Sequence, residues 1–295
     1  MYINNNSMAS NVANTLTSHY SDLKTSTERL STGLRVNSAA DDAAGLAIRE
    51  LMRTDIKALQ QGVRNANDAI SLIQTADGAL GIIDEKLTRM KELAEQASTG
   101  TYDSTQRLMI ESEYQAMASE ITRIANATDF NGIHLLDGNL SGDSHDGAKM
   151  TATGKMKVHF GTANDSAEDY YYIQIGTSTA SALGVGNETD SGRDGATIST
   201  QEAAQKALVA ITNAVVSKDK IRAHLGALQN RLENTVSNLT TQAENLQAAE
   251  SRISDVDVAT EMTQFVRNQI LTQSSVAMLS QANSMPKMAM QLIQG

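Results

Sequence analysis

The sequence predicts a mainly α protein, an elongated antiparallel helical bundle or coiled coil formed by the N- and C-terminal halves, with a small central β-hairpin. In both halves apolar residues recur at alternating spacings of three and four, which is typical of helices that pack along partner helices. Proline occurs once in the 295 residues. Ten of the nineteen glycines fall within residues 138–199, so the helix-breaking residues are concentrated in the centre.

The first predicted helix has a regular heptad. Its seam consists of Ala9, Val12, Leu16, His19, Leu23, Ser26 and Leu30. Gly33 is expected to end this helix, because glycine adopts the left-handed conformation of a helix end without steric strain. Ser38 and Asp41 form an S-x-x-D sequence, which is expected to start the next helix as a capping box.

Two further helices are predicted in the N-terminal half. The second spans about residues 39–98, and its later part carries an apolar seam that includes Leu72, Ile83, Met90 and Leu93. The segment "STGTYDS" breaks it. A third helix follows and ends before "DFNG" at 129–132.

Two short runs in the centre favour extended structure. The runs "KMKVHF" (155–160) and "DYYYIQIG" (169–176) contain aromatic and β-branched residues and are joined by a turn-rich stretch. This pattern predicts a β-hairpin. The remainder of 138–199 is expected to be loop.

Helical periodicity resumes at about residue 200. Its apolar seam is interrupted at Lys218, Arg222 and Gln229. Ser254 and Asp257 form a second S-x-x-D sequence, which is expected to start a last helix. Because no helix buries its seam alone, the N- and C-terminal halves are expected to pack on each other.

Composition disfavours several classes of function. The formal net charge of −10 disfavours nucleic acid as a partner, since phosphate binding needs clustered Lys and Arg. The chain has no cysteine, which removes disulfides, thiolate nucleophiles and Cys-ligated metal sites. No apolar run approaches the roughly 18 residues of a membrane-spanning helix, and the start does not resemble a secretory signal peptide.

Catalytic and metal-binding patterns are also missing from the sequence. The five His residues show no metal-ligand spacing, and there is no phosphate-binding loop, dinucleotide fingerprint or G-x-S-x-G. The acidic pair Asp41 and Asp42 is best explained by helix capping, because no His lies near it in sequence. The sequence therefore predicts neither an enzyme nor a cofactor or metal.

Charge is distributed unevenly along the chain. Residues 1–40 have a net charge of +1 and residues 256–295 a net charge of 0, so residues 41–255 carry −11. Two nearly neutral ends flank an acidic body. This distribution indicates that the two ends share one environment.

Five stretches carry a family resemblance. They are "TERLSTGLRVNSAADDAAGLAI" (27–48), "NANDAISLIQTADGAL" (65–80), "DFNG" (129–132), "LGALQNRLENTVSNL" (225–239) and the region from "AAESRISDVDVATEM" to "QILTQSSVAMLSQAN" (248–283). Through them the chain strongly resembles bacterial flagellins over residues 1–135 and 200–295. Flagellins commonly carry extra outer domains in the centre, whereas the 62 residues of 138–199 leave room only for a hairpin and loops. The chain is thus similar to a flagellin reduced to its two inner domains.

The resemblance implies a domain division and a function. Residues 1–42 and 256–295 would form an inner terminal helical domain, the coiled-coil core of a filament. Residues 43–255 would form an outer helical bundle domain with the hairpin and variable loops at about 133–199. The chain would be a structural subunit that self-assembles into the extracellular flagellar filament used for swimming motility. It would be exported unfolded by the flagellar type III system.

The resemblance also implies partners. Other flagellin subunits would form the homopolymer, and filament cap and hook-associated proteins would contact its ends. A flagellin export chaperone would bind the C-terminal helix, as a helix in a groove. Neither nucleic acid nor a membrane is expected as a partner.

The terminal helices carry the residues that we expect to drive assembly. These are Val12, Leu16, Leu23, Leu30, Phe265, Val276, Leu279, Met285, Met288 and Leu292. We expect the ends to be loosely ordered in the free subunit and to become helical when neighbouring subunits bury their apolar faces. Pro286 should either kink or end the last helix, because proline lacks a donor and clashes with the preceding turn.

A receptor contact is implied for "LTRMKELAEQA" (87–97). The residues alone indicate an exposed side of the second helix, with Glu85 and Arg89 as an i,i+4 pair. In flagellins that the vertebrate toll-like receptor for flagellin detects, an Arg, a Leu and a Glu form the primary contact. The resemblance transfers these roles to Arg89, Leu93 and Glu113.

Two other functions fit parts of the sequence. A hook–filament junction protein of the flagellum shares the terminal helices, although the match through residues 225–239 favours a filament subunit. A secreted adhesin or receptor-binding module would place its specificity in residues 138–199. The sequence does not support a hydrolase, because it contains no catalytic constellation.

Overall fold

The computed structural model describes residues 6–146, 153–166, 168–186 and 194–294, with the backbone alone at 153 and 289–294. The fold is mainly helical, as the sequence predicts. The helices in these ranges are α1 (Ser7–Thr32), α2 (Ala43–Ser98), α3 (Ser104–Ala127), α4 (Ala180–Leu183), α5 (Gln201–Ser254) and α6 (Val258–Gln294).

The strands form short antiparallel pairs in the centre of the chain. The pairs are β1 (Asp129–Phe130) with β2 (Ile133–His134), β3 (His145–Asp146) with β4 (Thr153–Gly154), and β5 (Met156–His159) with β6 (Tyr170–Ile173).

The chain divides into two compact units. Residues 1–56 together with 244–295 make one unit, and residues 57–243 make the other. The long helices α2 and α5 therefore each contribute to both. The predicted division into an inner and an outer domain at 42/43 and 255/256 remains a prediction.

Gly33 ends α1 as predicted. Its φ is +73°, in the left-handed region, and its N–H donates to Arg29 O at 2.8 Å. A side chain other than glycine would be strained at this φ. The chain therefore leaves α1 at a defined residue.

The starts of α2 and α6 differ from the predicted capping boxes. Asp42 rather than Ser38 caps α2, because its Oδ1 accepts a hydrogen bond from Gly45 N at 2.9 Å. The Ser38 hydroxyl instead donates to Asp41 Oδ2 at 3.0 Å and closes a turn ahead of the helix. Asp257 likewise accepts two N–H bonds from the first turn of α6. The prediction of serine caps is wrong, since a carboxylate occupies the cap position in both helices.

A hydrophobic core fills the unit formed by residues 57–243, where α2, α3 and α5 pack together with β5 and β6. The predicted seam of α2 is confirmed, with Leu72, Ile83, Met90 and Leu93 at most 3% exposed. Since small residues such as Ala76 and Ala118 alternate with these, the helices approach closely, and Tyr114 is the one aromatic residue of α2, α3 and α5 in the described core.

Ion pairs explain why the α5 seam is interrupted. Lys218 is 1% exposed and pairs with Asp84 of α2. One helical turn further on, Arg222 Nε donates to Asp77 Oδ1 at 2.7 Å. This hydrogen bond lowers the pKa of Asp77 below its ordinary value. A cation therefore takes an apolar position only where α2 supplies a carboxylate opposite it.

The predicted β-hairpin is confirmed, in slightly shorter form. In β5 and β6, Met156 pairs with Ile173 and His159 pairs with Tyr170. The end of β5 touches α2: a Cβ at Gly62 would lie 1.9 Å from the carbonyl oxygen of Phe160. Glycine at this position is what permits the contact.

The pair β1–β2 was not predicted. "DFNG" was expected only as the end of the third helix, but Asn131 (φ +52°) and Gly132 (φ +79°) form a two-residue turn between strands. Asn-Gly is the preferred sequence for such a turn, because both residues tolerate positive φ. The Asn-Gly dipeptide was therefore the signal in the sequence for this turn.

Candidate assembly surface

Helices α1 and α6 form an antiparallel pair. At one end Val256 N donates to Gly33 O at 3.0 Å, and at the other Asn6 Nδ2 donates to Ala282 O at 2.8 Å. The pair covers the predicted seam of α1, in which Ser26 is 4% exposed. The predicted packing of the two chain ends on each other is confirmed.

The covered face of α6 is largely polar. Its buried and half-buried residues follow a heptad of Glu261, Phe265, Asn268, Thr272, Ser275, Leu279 and Ala282. Glu261 is 8% exposed and lies 3.7 Å from the guanidinium of Arg29. The pairing of α1 with α6 therefore buries few large apolar side chains.

The uncovered side of α6 carries large apolar residues among polar ones. Nine of the twenty exposed large hydrophobic residues in the described part of the chain lie on this helix, and we call them the outer stripe: Val258, Met262, Val266, Ile270, Leu271, Val276, Met278, Met285 and Met288. Ile270 is 56% and Met278 62% exposed. Large apolar side chains exposed in this number on one helix mark a candidate interaction site.

The residues predicted for assembly divide between the two faces. The half-buried ones are Val12, Leu16, Leu23, Leu30, Phe265 and Leu279. The outer stripe holds Val276, Met285 and Met288. The side chain of Leu292 lies outside the described residues. Sequence reasoning missed Val266 and Ile270, although their i,i+4 spacing along α6 was a signal for one helix face.

Pro286 does not end α6, which continues to Gln294. Because proline has no N–H, the carbonyl of Ala282, four residues earlier, has no donor within the helix. The side-chain amide of Asn6 donates to that carbonyl, while its Oδ1 accepts a hydrogen bond from Ala9 N at 3.1 Å. Asn6 thus caps α1 and completes the hydrogen bonding of α6.

The segments next to this helix pair are bonded to each other. Leu34 and Asp255 form an isolated antiparallel bridge, and Arg35 N donates to Ser254 O at 2.6 Å. The Arg35 guanidinium also donates to Ile253 O at 2.6 Å, which satisfies a carbonyl at the end of α5. The entry to and exit from the α1–α6 pair are therefore held side by side.

Two of the three predicted receptor residues, Arg89 and Glu113, form an ion pair. Arg89 pairs with Glu113 at 2.8 Å and with Glu92 at 2.9 Å, and not with Glu85 as the sequence suggested. Hydrogen bonds to Glu92 and Glu113 raise the pKa of Arg89. Leu93 is 1% exposed and packs in the core. The structure therefore brings Arg89 and Glu113 together on the surface and places Leu93 in the core, on the predicted seam of α2.

Comparison with known proteins gives the chain a family. Residues 3–141 match the family model described as the bacterial flagellin N-terminal helical region, and residues 208–293 match that of the C-terminal helical region. The flagellin of Bacillus subtilis is 42% identical over 306 aligned positions, which cover 99% of this chain and 100% of that one. The flagellar filament 33 kDa core protein of Treponema phagedenis is 41% identical, with 99% and 100% covered.

The chain belongs to the bacterial flagellin family. It is a short form, since it matches relatives of its own length from end to end without a large central domain. As a flagellin it is a structural subunit of the flagellar filament, the extracellular part of the flagellum.

A solved structure from Vibrio parahaemolyticus, described as that of a candidate flagellar hook-associated protein, shares the fold. It is 14% identical with a TM-score of 0.56, and 73% of this flagellin and 100% of that chain are covered. At that identity the likeness concerns the fold alone. The full-length relatives at about 40% identity support a filament subunit rather than a hook–filament junction protein.

Flagellins are structural proteins. In the described ranges, no group of three or more His, Asp or Glu side chains is arranged to hold a metal ion. Among the helices described, none is both long and apolar enough to cross a membrane.

Proposed function

We propose that the outer stripe of α6 is the principal contact between neighbouring subunits of the filament. The observation that carries this proposal is the number of large apolar residues that α6 leaves exposed. A helix that exposes large apolar side chains to water is stabilised when another surface covers them. Each large apolar side chain buried in this way contributes about 1.5–3 kcal/mol, and a polymer repeats the contact in every subunit.

The same proposal assigns residues 1–42 and 256–295 to the inner core of the filament and residues 43–255 to the domain outside it. The nearly neutral ends support this assignment, since charged residues are depleted at the centre of tight protein interfaces. The half-buried residues of the α1–α6 seam then hold the two helices together, and the outer stripe joins one pair to the next.

Assembly of purified variants tests this role of the outer stripe. We expect Val266→Ser with Ile270→Ser to prevent or strongly slow filament growth, observed by electron microscopy after seeding with short filaments. The matched control is Val209→Ser with Val216→Ser, two exposed aliphatic residues on α5. Filaments that form equally well from both variants would contradict the proposal, and amorphous aggregation of the parent chain would count against the function itself.

Export of the subunit and its addition beneath the filament cap are proposed from the same family assignment. We propose that the subunit passes unfolded through the type III export channel and is added beneath the filament cap, with hook-associated proteins at the base. The end of α6 beyond Ala282, which includes Met285 and Met288, is proposed as the chaperone-binding segment, since Met-rich helices suit adaptable grooves. Deleting residues 283–295 should abolish chaperone binding in a pull-down assay while Met8→Ser leaves it unchanged.

Recognition by the vertebrate toll-like receptor for flagellin is proposed for the surface around Arg89 and Glu113. The exposed guanidinium and carboxylates support it, because charged pairs at an interface give specificity and fast association. Arg89→Asp should reduce signalling in receptor-reporter cells by about tenfold or more, as expected for loss of a central arginine. The control is Arg123→Asp, since Arg123 is an exposed arginine of α3 that pairs with Glu120. Unchanged signalling by Arg89→Asp would exclude this surface.

A further inference from the structure

The outer face of the β5–β6 hairpin carries a row of basic and phenolic side chains. Strand pairing places Lys157 opposite Tyr172 and His159 opposite Tyr170. Lys155, just before β5, reaches the same face, since its Nζ lies 4.7 Å from the ring centroid of Tyr172. The opposite face of the hairpin packs into the hydrophobic core.

Each lysine of this row is held over a tyrosine ring. Lys157 Nζ lies 3.6 Å from the ring centroid of Tyr170, and the Tyr170 and Tyr172 rings meet edge to face at 5.4 Å. A cation–π contact positions an ammonium group without neutralising its charge. We call Lys155, Lys157, His159, Tyr170 and Tyr172, with His145 5.7 Å from the Tyr172 ring, the lysine–tyrosine ladder.

The ladder is a basic site on an acidic chain. None of its side chains is acidic, although the chain has a net charge of −10. In the part of the chain that the structure describes, neither Lys155 nor Lys157 pairs with a carboxylate, and Lys157 Nζ donates to Asn164 Oδ1 at 3.2 Å. The two lysines are two residues apart, about 6–7 Å along an extended strand. Two ammonium groups held over neighbouring tyrosine rings suit a ligand with repeated negative charge.

Amide groups and one carboxylate border the ladder. It borders a groove of about 360 Å³ whose lining includes Asn65, Asn131 and Asp68 together with Lys157. The groove has an apolar floor to which Met156 contributes. Amide, carboxylate and phenol groups around a partly apolar floor can bond a ligand that carries many hydroxyl groups as well as charge.

We propose that the lysine–tyrosine ladder binds a linear acidic polysaccharide. The carboxylates or sulfates of such a polymer would pair with the lysines, and its hydroxyl groups would meet the phenols and amides of the ladder and groove. A polynucleotide suits the site less well, because the tyrosine faces that would stack on bases already hold lysines.

The polymeric state of the protein strengthens this inference, which rests on the filament function. Two lysines bind one polymer segment weakly. A filament repeats the site in every subunit, and a long polysaccharide repeats the ligand, so simultaneous engagement raises the apparent affinity by a factor of about 10²–10⁴ where the geometry permits it. Filaments should therefore bind far more tightly than single subunits.

Co-sedimentation of filaments with a fluorescent polysaccharide tests the proposal. Electron microscopy first establishes that the parent chain forms filaments, so that failure of the filament function is seen separately. We then expect filaments to pellet heparin in a salt-sensitive manner and to leave neutral dextran in solution. If filaments do not form, the parent chain captured densely on a sensor surface provides the same measurement.

Matched variants locate the site. Lys155→Gln with Lys157→Gln should reduce the apparent affinity for heparin about tenfold or more, since bonds to charged groups are lost in every repeat. Lys206→Gln with Lys220→Gln removes the same charge from exposed positions on α5 and should leave binding unchanged.

Four results would overturn the proposal. The proposal is wrong if parent filaments do not bind heparin. It is also wrong if the two double variants bind heparin equally. Equal or tighter binding of single-stranded DNA would show a general polyanion site instead. Loss of assembly in the Lys155 and Lys157 variant alone would also count against the proposal, because the ladder would then be a contact between subunits.

Discussion

Asn6 serves two helices at once. Its carbonyl oxygen caps α1, and its amide nitrogen donates to the one carbonyl of α6 that Pro286 leaves without a helical donor. A buried carbonyl without a donor costs about 1–3 kcal/mol, so the amide of Asn6 is what makes the only proline acceptable in a long helix. The same bond links one defined point of α1 to one defined point of α6.

Replacing Asn6 with Ala is expected to lower the stability of the α1–α6 pair by about 1–2 kcal/mol, because a helix cap and a carbonyl partner are lost together. In a Pro286→Ala background the loss should be smaller, since position 286 then donates its own N–H to Ala282. Urea titration of assembled filaments, followed by light scattering, measures both effects. Asn11→Ala on the exposed side of α1 is the control. An equal loss in the two backgrounds would show that the bond to Ala282 is unimportant.

Asp77 provides a pH-dependent contribution to stability. The hydrogen bond from Arg222 lowers the pKa of Asp77 below 3.8, so its ionised form stabilises the folded state above that pH. The contribution is lost as the pH falls through the lowered pKa. Because both side chains are about two-fifths exposed, solvent screening limits it to about 0.5–1 kcal/mol.

We therefore expect Asp77→Asn to reduce the free energy of unfolding by that amount at neutral pH and to differ less from the parent below about pH 4. Urea unfolding followed by circular dichroism at several pH values measures the difference. Asp68→Asn, at an exposed position on the same helix, should show no such loss at neutral pH. A constant difference at all pH values would exclude this ion pair as its source.

At the scale of elements, α6 has a largely polar covered face and leaves nine large apolar residues exposed. Sequence periodicity identified its apolar residues, but Phe265 and Val276 fall on different faces. Helical spacing alone does not say which face meets the partner helix, because α6 carries apolar residues around most of its circumference. The position of α1 determines which face of α6 is covered.

The docking of the hairpin on α2 depends on Gly62. A Cβ at this position would lie 1.9 Å from the Phe160 carbonyl oxygen. Gly62→Ala is therefore expected to destabilise the fold by about 1–3 kcal/mol despite the better helix propensity of alanine. Gly78→Ala is the matched control on the same helix, since no atom lies within 4 Å of its added Cβ, and it should be neutral or stabilising. Urea unfolding of both variants measures the contrast, and equal behaviour would contradict a close contact at Gly62.

At the scale of the molecule, the two units differ in how much apolar surface they bury. The unit of residues 57–243 has a continuous core, whereas the pair of α1 and α6 buries small and polar side chains and leaves the outer stripe exposed. We infer that the first unit is stable in the free subunit and that the helix pair becomes stable on assembly.

Amide hydrogen exchange measures this difference directly. In the free subunit we expect rapid exchange within residues 7–32 and 258–294 and slow exchange in the core parts of α2, α3 and α5. In filaments the terminal helices should become protected. Strong protection of both terminal helices in the monomer would show that they fold without neighbours.

The sequence predicted local features well where the signal is local. Gly33 ends α1 and the hairpin near Met156 and Ile173 forms as expected, because glycine conformations and strand alternation depend on near neighbours. The serine caps at Ser38 and Ser254 were wrong, since a nearby carboxylate competes for the same N–H groups. Leu93 matched a family surface position yet lies in the core.

By itself the sequence determined that the chain is mainly helical, that its ends belong together and that its centre holds a hairpin, because spacing, charge and turn residues specify these without distant partners. Only the tertiary structure decided which face of α6 stays uncovered, which carboxylates meet Lys218 and Arg222, and that Asn6 bonds Ala282. These contacts join residues far apart along the chain. Their energies depend on burial and on the position of the partner, which no local pattern of residues contains.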